Sequence, residues 1–155
     1  MNNPIPRTYS FFYRSNERKS VLWRRKIIAY LGAQYPNVRL VEDSPEALLV
    51  LGGDGTILEA ARTHMHRGDA LIFGMNLGHV GFLASVREPK NFFSALDRLF
   101  SGHYMVTHRM ALSGALMRDG KSVYSAFALN EFSIQSILGV VALEVVVEEH
   151  SFQQI

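Results

Sequence analysis

Apolar positions form two continuous runs along the chain, residues 47–51 and residues 70–75. Neither run alternates with polar positions, a pattern that is typical of strands buried on both faces of a parallel sheet. Between them, from Ile57 to Met65, apolar residues recur at helical spacing. The pattern therefore predicts a strand–helix–strand unit. Each strand leads into a glycine-containing turn, and both turns are expected at the same carboxyl edge of the sheet.

Flanking patterns extend this unit into an α/β domain with a Rossmann-like parallel sheet. Residues 8–13 are rich in β-formers and predict a first strand. Residues 21–35 predict a helix capped by Ser20, and residues 38–41 predict a short strand. A further helix is expected over residues 89–100, beginning at a proline.

The pattern changes near residue 103, where β-type segments replace helices. The predicted strands are residues 110–117, 123–134 and 140–147. The dipeptide Asp119-Gly120 predicts a hairpin turn between the first two. We therefore expect an α/β domain over residues 1–104, followed at residues 105–155 by the start of a β-sandwich domain. Unpaired strand edges favour a domain that is truncated or completed by another chain.

The turn after the first apolar run has the sequence Gly52-Gly53-Asp54-Gly55-Thr56. Its glycines permit unusual backbone angles and let a phosphate approach without meeting a Cβ. The helix that follows adds unpaired N–H donors and the positive end of its dipole. The sequence thus predicts a phosphate or nucleotide site formed by Gly52, Gly53, Gly55 and Thr56.

Asp54 is unusual in such a turn because a carboxylate repels phosphate. Two functional roles remain open: Asp54 is a ligand linked to phosphate through magnesium, or it orients and deprotonates an attacking hydroxyl in phosphoryl transfer. The structural alternative is a helix N-cap, a common use of aspartate.

Composition narrows the protein class. The chain has 155 residues, 48% hydrophobic and 19% charged, which is ordinary for a globular protein. No apolar run approaches the roughly 20 residues of a membrane helix, and no secretion signal is evident, so we expect a cytoplasmic protein without a membrane partner. A net charge of +2 is too small to indicate nucleic acid. With Cys 0 and six histidines that lack ligand spacing, we predict no protein-bound metal site.

Three segments together resemble the NAD kinase family, whose members use ATP or polyphosphate. They are the glycine turn of residues 52–56, the segment Asn-Leu-Gly-His-Val-Gly-Phe-Leu at residues 76–83, and Leu-Asn-Glu at residues 129–131. The first is also similar to loops of diacylglycerol and sphingosine kinases and of phosphofructokinases, whereas the second is much more specific. The resemblance covers roughly residues 46–134.

The resemblance implies transfer of a terminal phosphoryl group from ATP or polyphosphate to the 2′-hydroxyl of the adenosine ribose of NAD, giving NADP. Magnesium would be required, and Asp54 would be the catalytic base. The family also implies a homo-oligomer. Two alternatives remain open: a related lipid or sugar kinase, and a catalytically incomplete fragment or regulatory remnant that binds nucleotide. The second is raised because nothing after Val147 resembles the family's further glycine- and threonine-rich nucleotide-binding segment.

For NAD itself, the resemblance implies that Leu58 and Phe82 line the adenine pocket and that Asn76 contacts the nucleotide near its ribose. Asn130 and Glu131 would hydrogen-bond the sugar hydroxyls. Each of these residues has a structural alternative: a turn residue for Asn76, core for Phe82, and a break in a strand for the Asn-Glu pair.

Overall fold

The chain divides into two units, Met1–Met110 and Ala111–Ile155. The computed structural model describes residues 3–64, 70–78, 81–140, 142–147 and 150–154. Within these ranges no helix is both long enough and apolar enough to cross a bilayer. The predicted domain boundary after residue 104 stays a prediction.

The first unit is built on a parallel sheet of four strands in the order β2-β1-β3-β4. The strands are β1 (Thr8–Tyr13), β2 (Arg39–Leu40), β3 (Ala47–Gly52) and β4 (Leu71–Asn76). All six residues of β3 are buried, which explains why its sequence does not alternate. The predicted parallel sheet is therefore confirmed, although β2 is shorter than the expected strand over residues 38–41.

Helices cover both faces of this sheet. They are α1 (Arg18–Gln34), α2 (Asp54–His64) and α3 (Phe92–Phe100), the last preceded by a single 3-10 turn at Pro89–Asn91. Leu49 and Leu51 of β3 share a buried cluster with residues of α1 and α3. Leu48 and Val50 point to the other face, where they pack with Ile57 of α2. The central strand thus anchors two apolar layers, each stabilised mainly by removal of side chains from water.

Helix α1 begins earlier than the sequence predicts. The proposal that Ser20 caps α1 is wrong, since the helix begins at Arg18, with Glu17 at the cap position. Ser20 lies buried in the first turn, and its hydroxyl donates to the Glu17 carboxylate at 3.2 Å. Arg18 and Lys19 are good helix formers, which accounts for the earlier start. Met65, expected at the end of α2, lies outside the described residues.

In the second unit, β5 (Leu112–Arg118) and β6 (Lys121–Ala128) form an antiparallel hairpin. Asp119 and Gly120 at its tip have φ angles of 50° and 72°, so both occupy the left-handed region that a two-residue hairpin turn of type I′ requires. The hairpin predicted from the Asp-Gly pair is confirmed.

The remaining strands of the second unit differ from expectation. β6 ends at Ala128 rather than continuing to residue 134. β7 (Glu144–Val147) is shorter than predicted, and it pairs antiparallel with β8 (His150–Gln154), which was not predicted. The β8 sequence contains one strong β-former, Phe152, and its pairing with β7 defines it.

Candidate active site

The carboxyl edge of the sheet brings two turns together. Gly52 ends β3 and lies opposite Asn76, which ends β4. The Leu77 N–H donates to the Gly52 carbonyl at 3.3 Å, which joins the second turn to the first. A Cβ built on Gly78 would lie 3.8 Å from the Gly53 α-carbon. The two motifs that the sequence placed at one edge are therefore in direct contact.

The inner side of the glycine turn is closely packed. A Cβ on Gly52 would lie closer than 3.0 Å to three side-chain atoms of Thr56. Thr56 is buried, and its N–H and that of Ile57 donate to the Gly53 carbonyl at 3.0 and 3.2 Å. Gly52 is thus required by the first turn of α2 itself, and the buried Thr56 side chain stabilises that turn.

The outer side of the same turn is open as far as the described residues extend. Among them, a Cβ on Gly53 or Gly55 would meet no atom within 4 Å. Both residues lie at the amino end of α2, where backbone N–H groups point outward and the helix dipole is positive. Packing against the described residues does not explain these two glycines, and their role in binding phosphate stays a prediction.

Asp54 connects the glycine turn to the segment after Gly78. Its Oδ2 accepts a hydrogen bond from the Phe82 N–H at 2.8 Å, and its Oδ1 accepts one from the Leu83 N–H at 3.2 Å. Each carboxylate oxygen can accept more than one bond, so both keep capacity for a further donor. Asp54 is the first residue of α2, and Gly53 precedes the helix, so the N-cap alternative does not describe these contacts.

Asn76 shapes the second turn. It is buried, and its Oδ1 accepts the Gly78 N–H at 3.0 Å, while its own N–H donates to the Val86 carbonyl at 2.9 Å. A side-chain bond two residues ahead is the usual way in which asparagine stabilises a turn. The turn-residue alternative thus has direct support, and a contact of Asn76 with nucleotide stays a prediction.

Phe82 is 82% exposed, which excludes the alternative that it belongs to the core. Because its N–H binds Asp54, the ring is attached to the backbone beside the carboxylate. Leu58 is half-buried and lies one helical turn after Asp54, on the same face of α2. An apolar side chain and an exposed aromatic ring therefore accompany the carboxylate, and the face of a ring suits a purine.

Asn130 and Glu131 belong to the second unit, just after β6, and both are exposed. A Cβ on Gly114 of β5 would lie closer than 3.0 Å to atoms of the Phe132 ring, so this ring packs over the glycine. The chain has left β6 at this point, in agreement with a break in the strand. The role of Asn130 and Glu131 in binding sugar hydroxyls stays a prediction.

Sequence reasoning assigned no role to two residues of this site. Gly81 lies against the Asp54 carboxyl group, and Leu83 contributes its backbone N–H. Glycine spacing in the second motif was a signal for Gly81, but a backbone donor leaves no trace in the side-chain pattern. His79 and Val80, in the same motif, lie outside the described residues.

The fold and this edge define a class: α/β proteins that bind a ligand beyond the carboxyl ends of parallel strands, at a turn leading into a helix. A family model described as the ATP-NAD kinase N-terminal domain matches residues 13–104. The chain therefore belongs to the NAD kinase family.

Curated relatives and a solved structure agree with this assignment. The chain is 39% identical over 133 residues to an NAD kinase of Nitratidesulfovibrio vulgaris, covering 78% of this chain and 46% of the relative. It is 41% identical over 122 residues to an NAD kinase of Leifsonia xyli, covering 78% of this chain and 38% of the relative. The chain thus spans less than half the length of these relatives. The crystal structure of yeast NADH kinase complexed with NADH matches with a TM-score of 0.76 at 17% identity, covering 98% of this chain and 55% of that one, and supports the fold.

Proposed function

We propose that this chain carries the catalytic loop of an NAD kinase, which transfers the terminal phosphoryl group of ATP or polyphosphate to the 2′-hydroxyl of the adenosine ribose of NAD. One observation carries the proposal. The Asp54 carboxylate lies between an open glycine turn and an exposed aromatic side chain, Phe82. This arrangement suits a base between a phosphate donor and a nucleoside acceptor.

The donor would lie on the open side of the turn. The backbone of Gly53 and Gly55 admits phosphate oxygens without steric conflict, and the amino end of α2 offers N–H groups and positive potential. Gly52 and Thr56 would serve the donor indirectly, since they fix the course of the turn.

The reaction forms a bond between the ribose 2′-oxygen and the terminal phosphorus and breaks the bond from that phosphorus to the bridging oxygen of the donor. The hydroxyl proton passes to the Asp54 carboxylate, and ADP or a shortened polyphosphate leaves. Such transfers depend mainly on alignment and charge stabilisation, with the base accepting its proton as the hydroxyl attacks. The two N–H bonds to Asp54 supply the alignment, because they restrict the rotation of the carboxylate.

The acceptor would be recognised through its base and its sugars. The exposed Phe82 ring offers a stacking surface for adenine, with Leu58 on the helix face shared with Asp54. Asn76 would contact the nucleotide near its ribose. Asn130 and Glu131 would bind sugar hydroxyls, for which an amide and a carboxylate are suitable partners.

Magnesium fits this site as part of the donor rather than as a resident ion. No group of three or more histidine or acidic side chains able to hold a metal occurs among the residues that the structure describes. Mg²⁺ commonly keeps several waters and binds through one or two carboxylates together with substrate phosphates. Bound with ATP, it would neutralise charge on the phosphates, and Asp54 would be the carboxylate of the glycine turn that can approach it.

We also propose that the protein acts in the cytoplasm as a homo-oligomer. The second unit exposes several large apolar side chains almost completely, with Ile137 at 96%, Leu138 at 96% and Val140 at 99%. Apolar surface of this kind is typical of protein interfaces and supports association with another copy.

The direct test is a coupled assay for NADP formation with ATP and magnesium, run beside calorimetric titration of NAD into the chain. We expect NAD binding and turnover. Binding without turnover would support the alternative of a catalytically incomplete nucleotide-binding chain. Absence of NAD binding, with ATP-dependent phosphorylation of a lipid or sugar, would contradict the proposal.

A further inference from the structure

Gly81 occupies a position that no other residue type could fill without displacing Asp54. A Cβ on Gly81 would lie closer than 3.0 Å to the Asp54 side-chain atoms Cγ, Oδ1 and Oδ2. Gly81 is therefore needed for space, and that space is taken by the Asp54 carboxylate.

The two residues after Gly81 hold that carboxylate from the same side. Phe82 N–H donates to Oδ2 at 2.8 Å and Leu83 N–H to Oδ1 at 3.2 Å, one donor for each oxygen. Rotation of the carboxyl group would break at least one of these bonds. Hydrogen bonds to an ionised acceptor are roughly twice as strong as neutral ones, so this fork restricts the group strongly.

We propose that Gly81 is a positioning residue: the absence of its Cβ lets the Asp54 carboxylate lie against the backbone of residues 81–83, whose two N–H groups fix its direction. The inference rests on the proposed function in one respect, namely that Asp54 is the group to be aligned with the acceptor hydroxyl. The contact of the Asp54 carboxylate with the backbone of residues 81–83, called the carboxylate seat or simply the seat below, follows from the structure alone.

The seat also links substrate recognition to alignment. Phe82 contributes the shorter of the two N–H bonds and also carries the exposed ring proposed to stack on adenine. A nucleotide base resting on the ring holds the same residue whose N–H orients the carboxylate. Gly81→Ala is expected to lower kcat about 100-fold, a loss that misplacing a catalytic group by about 1 Å can cause. It should also raise the KM for NAD and leave the KM for ATP unchanged, a split that general destabilisation would not produce.

The seat can be tested without turnover by amide NMR of the 155-residue chain during acidification. In the wild type, the amide signals of Phe82 and Leu83 should shift together as the Asp54 carboxyl group is protonated. In Gly81→Ala this joint titration should disappear although Asp54 is retained. Asp54→Ala should abolish it as well.

Gly32→Ala is the matched control. It makes the same chemical change at an exposed position of α1 where a Cβ would meet no described atom within 4 Å. The Phe82 and Leu83 signals should titrate in this variant as in the wild type. Loss of the joint titration in Gly32→Ala would contradict a specific role for Gly81.

Persistence of the joint titration in folded Gly81→Ala would overturn the proposal. If that variant does not fold, Asp54→Ala provides the test. Phe82 and Leu83 amide signals unchanged from the wild type would contradict the carboxylate seat, and shifted signals would support it. A wild-type chain with the titration but no NAD binding would support the seat and contradict the proposed function. The two failures are therefore distinguishable.

Discussion

The two sides of the glycine turn differ in what holds them in place. On the inner side, Gly52 is crowded by Thr56, and Gly81 of the neighbouring segment is crowded by Asp54, so a Cβ at either would collide. On the outer side, a Cβ on Gly53 or Gly55 would meet none of the described residues. The same residue type thus has two explanations at one site.

This difference separates folding from function. The crowded glycines are required by contacts within the protein, so their substitution should reduce stability or displace Asp54. In the part of the chain that the structure describes, the open glycines and the exposed Phe82 ring have no comparable contact, and the proposed nucleotide would supply one. Substitutions on the open side should therefore change binding and turnover with little effect on the fold.

The largest effect is expected where the two sides meet, at Asp54. Asp54→Asn keeps the shape and one oxygen acceptor but cannot accept the hydroxyl proton. Loss of a general base typically lowers the rate 10²- to 10⁴-fold, and we expect a fall in NADP formation of about that size. Folding and NAD binding should be preserved, as checked by circular dichroism and calorimetry. Normal turnover by this variant would show that Asp54 is not the base.

The crowded side is tested by Gly52→Ala. The new Cβ meets Thr56, whose position in the first turn of α2 is fixed. Overpacking of this kind costs about 1–3 kcal/mol, and the free energy of unfolding in urea should fall accordingly. Gly32→Ala, at an exposed position, should instead stabilise α1 by about 0.5–1 kcal/mol. Equal effects at the two positions would contradict the packing explanation.

On the open side, Phe82→Ala should weaken NAD binding and leave stability almost unchanged, because the ring is largely exposed. Stacking of a base on an aromatic ring contributes about 1–3 kcal/mol, so the Kd for NAD should rise about 5- to 150-fold. Binding of ATP should change less. Calorimetry with both nucleotides measures the difference, and equal weakening would count against adenine stacking on Phe82.

The smallest effect is expected away from the site, where α1 meets α3. Tyr30 and Tyr35 both donate hydroxyl hydrogen bonds to Oδ1 of Asp97, at 2.7 and 2.8 Å. Burial, followed by this hydrogen bond and the Asp97 charge, raises the pKa of Tyr35 from 10.0 to about 12. Tyr35→Phe should cost about 1 kcal/mol of stability at neutral pH and leave turnover unchanged.

The same tyrosine predicts a pH dependence. Since its pKa is higher in the folded state than in the unfolded state, the stabilisation is complete below pH 10 and is lost as the pH rises towards about 12. Unfolding curves of the wild type should show this loss, and those of Tyr35→Phe should show less of it. Identical alkaline profiles would contradict the assigned hydrogen bond.

Sequence patterns predicted the elements with strong local signals. Unbroken apolar runs predicted β3 and β4, and helical spacing of apolar residues predicted α2. The Asp119-Gly120 pair predicted the hairpin turn. Elements defined by pairing alone had weaker signals. β8 was not predicted, because its side chains carry little β-propensity and its partner strand determines it.

The candidate site, too, was predicted only where side-chain types carry the signal. Residue types predicted the phosphate turn and the importance of Asp54. The contact between Gly81 and Asp54, and the two N–H donors that hold the carboxylate, depend on how the backbone folds after β4. Backbone donors are common to nearly all residue types, so the sequence does not distinguish Phe82 and Leu83 as partners of Asp54.

The central claim is that the open side of the glycine turn, with Phe82, is where nucleotide binds. It is tested most directly by an amide NMR titration of the 155-residue chain, first with ATP and then with NAD, following Gly53, Gly55 and Phe82 with Gly32 in α1 as the reference. We predict saturable shifts of the Gly53 and Gly55 signals with ATP and of the Phe82 signal with NAD, and none for Gly32. Saturable binding of both nucleotides that leaves Gly53, Gly55 and Phe82 unshifted would contradict the claim.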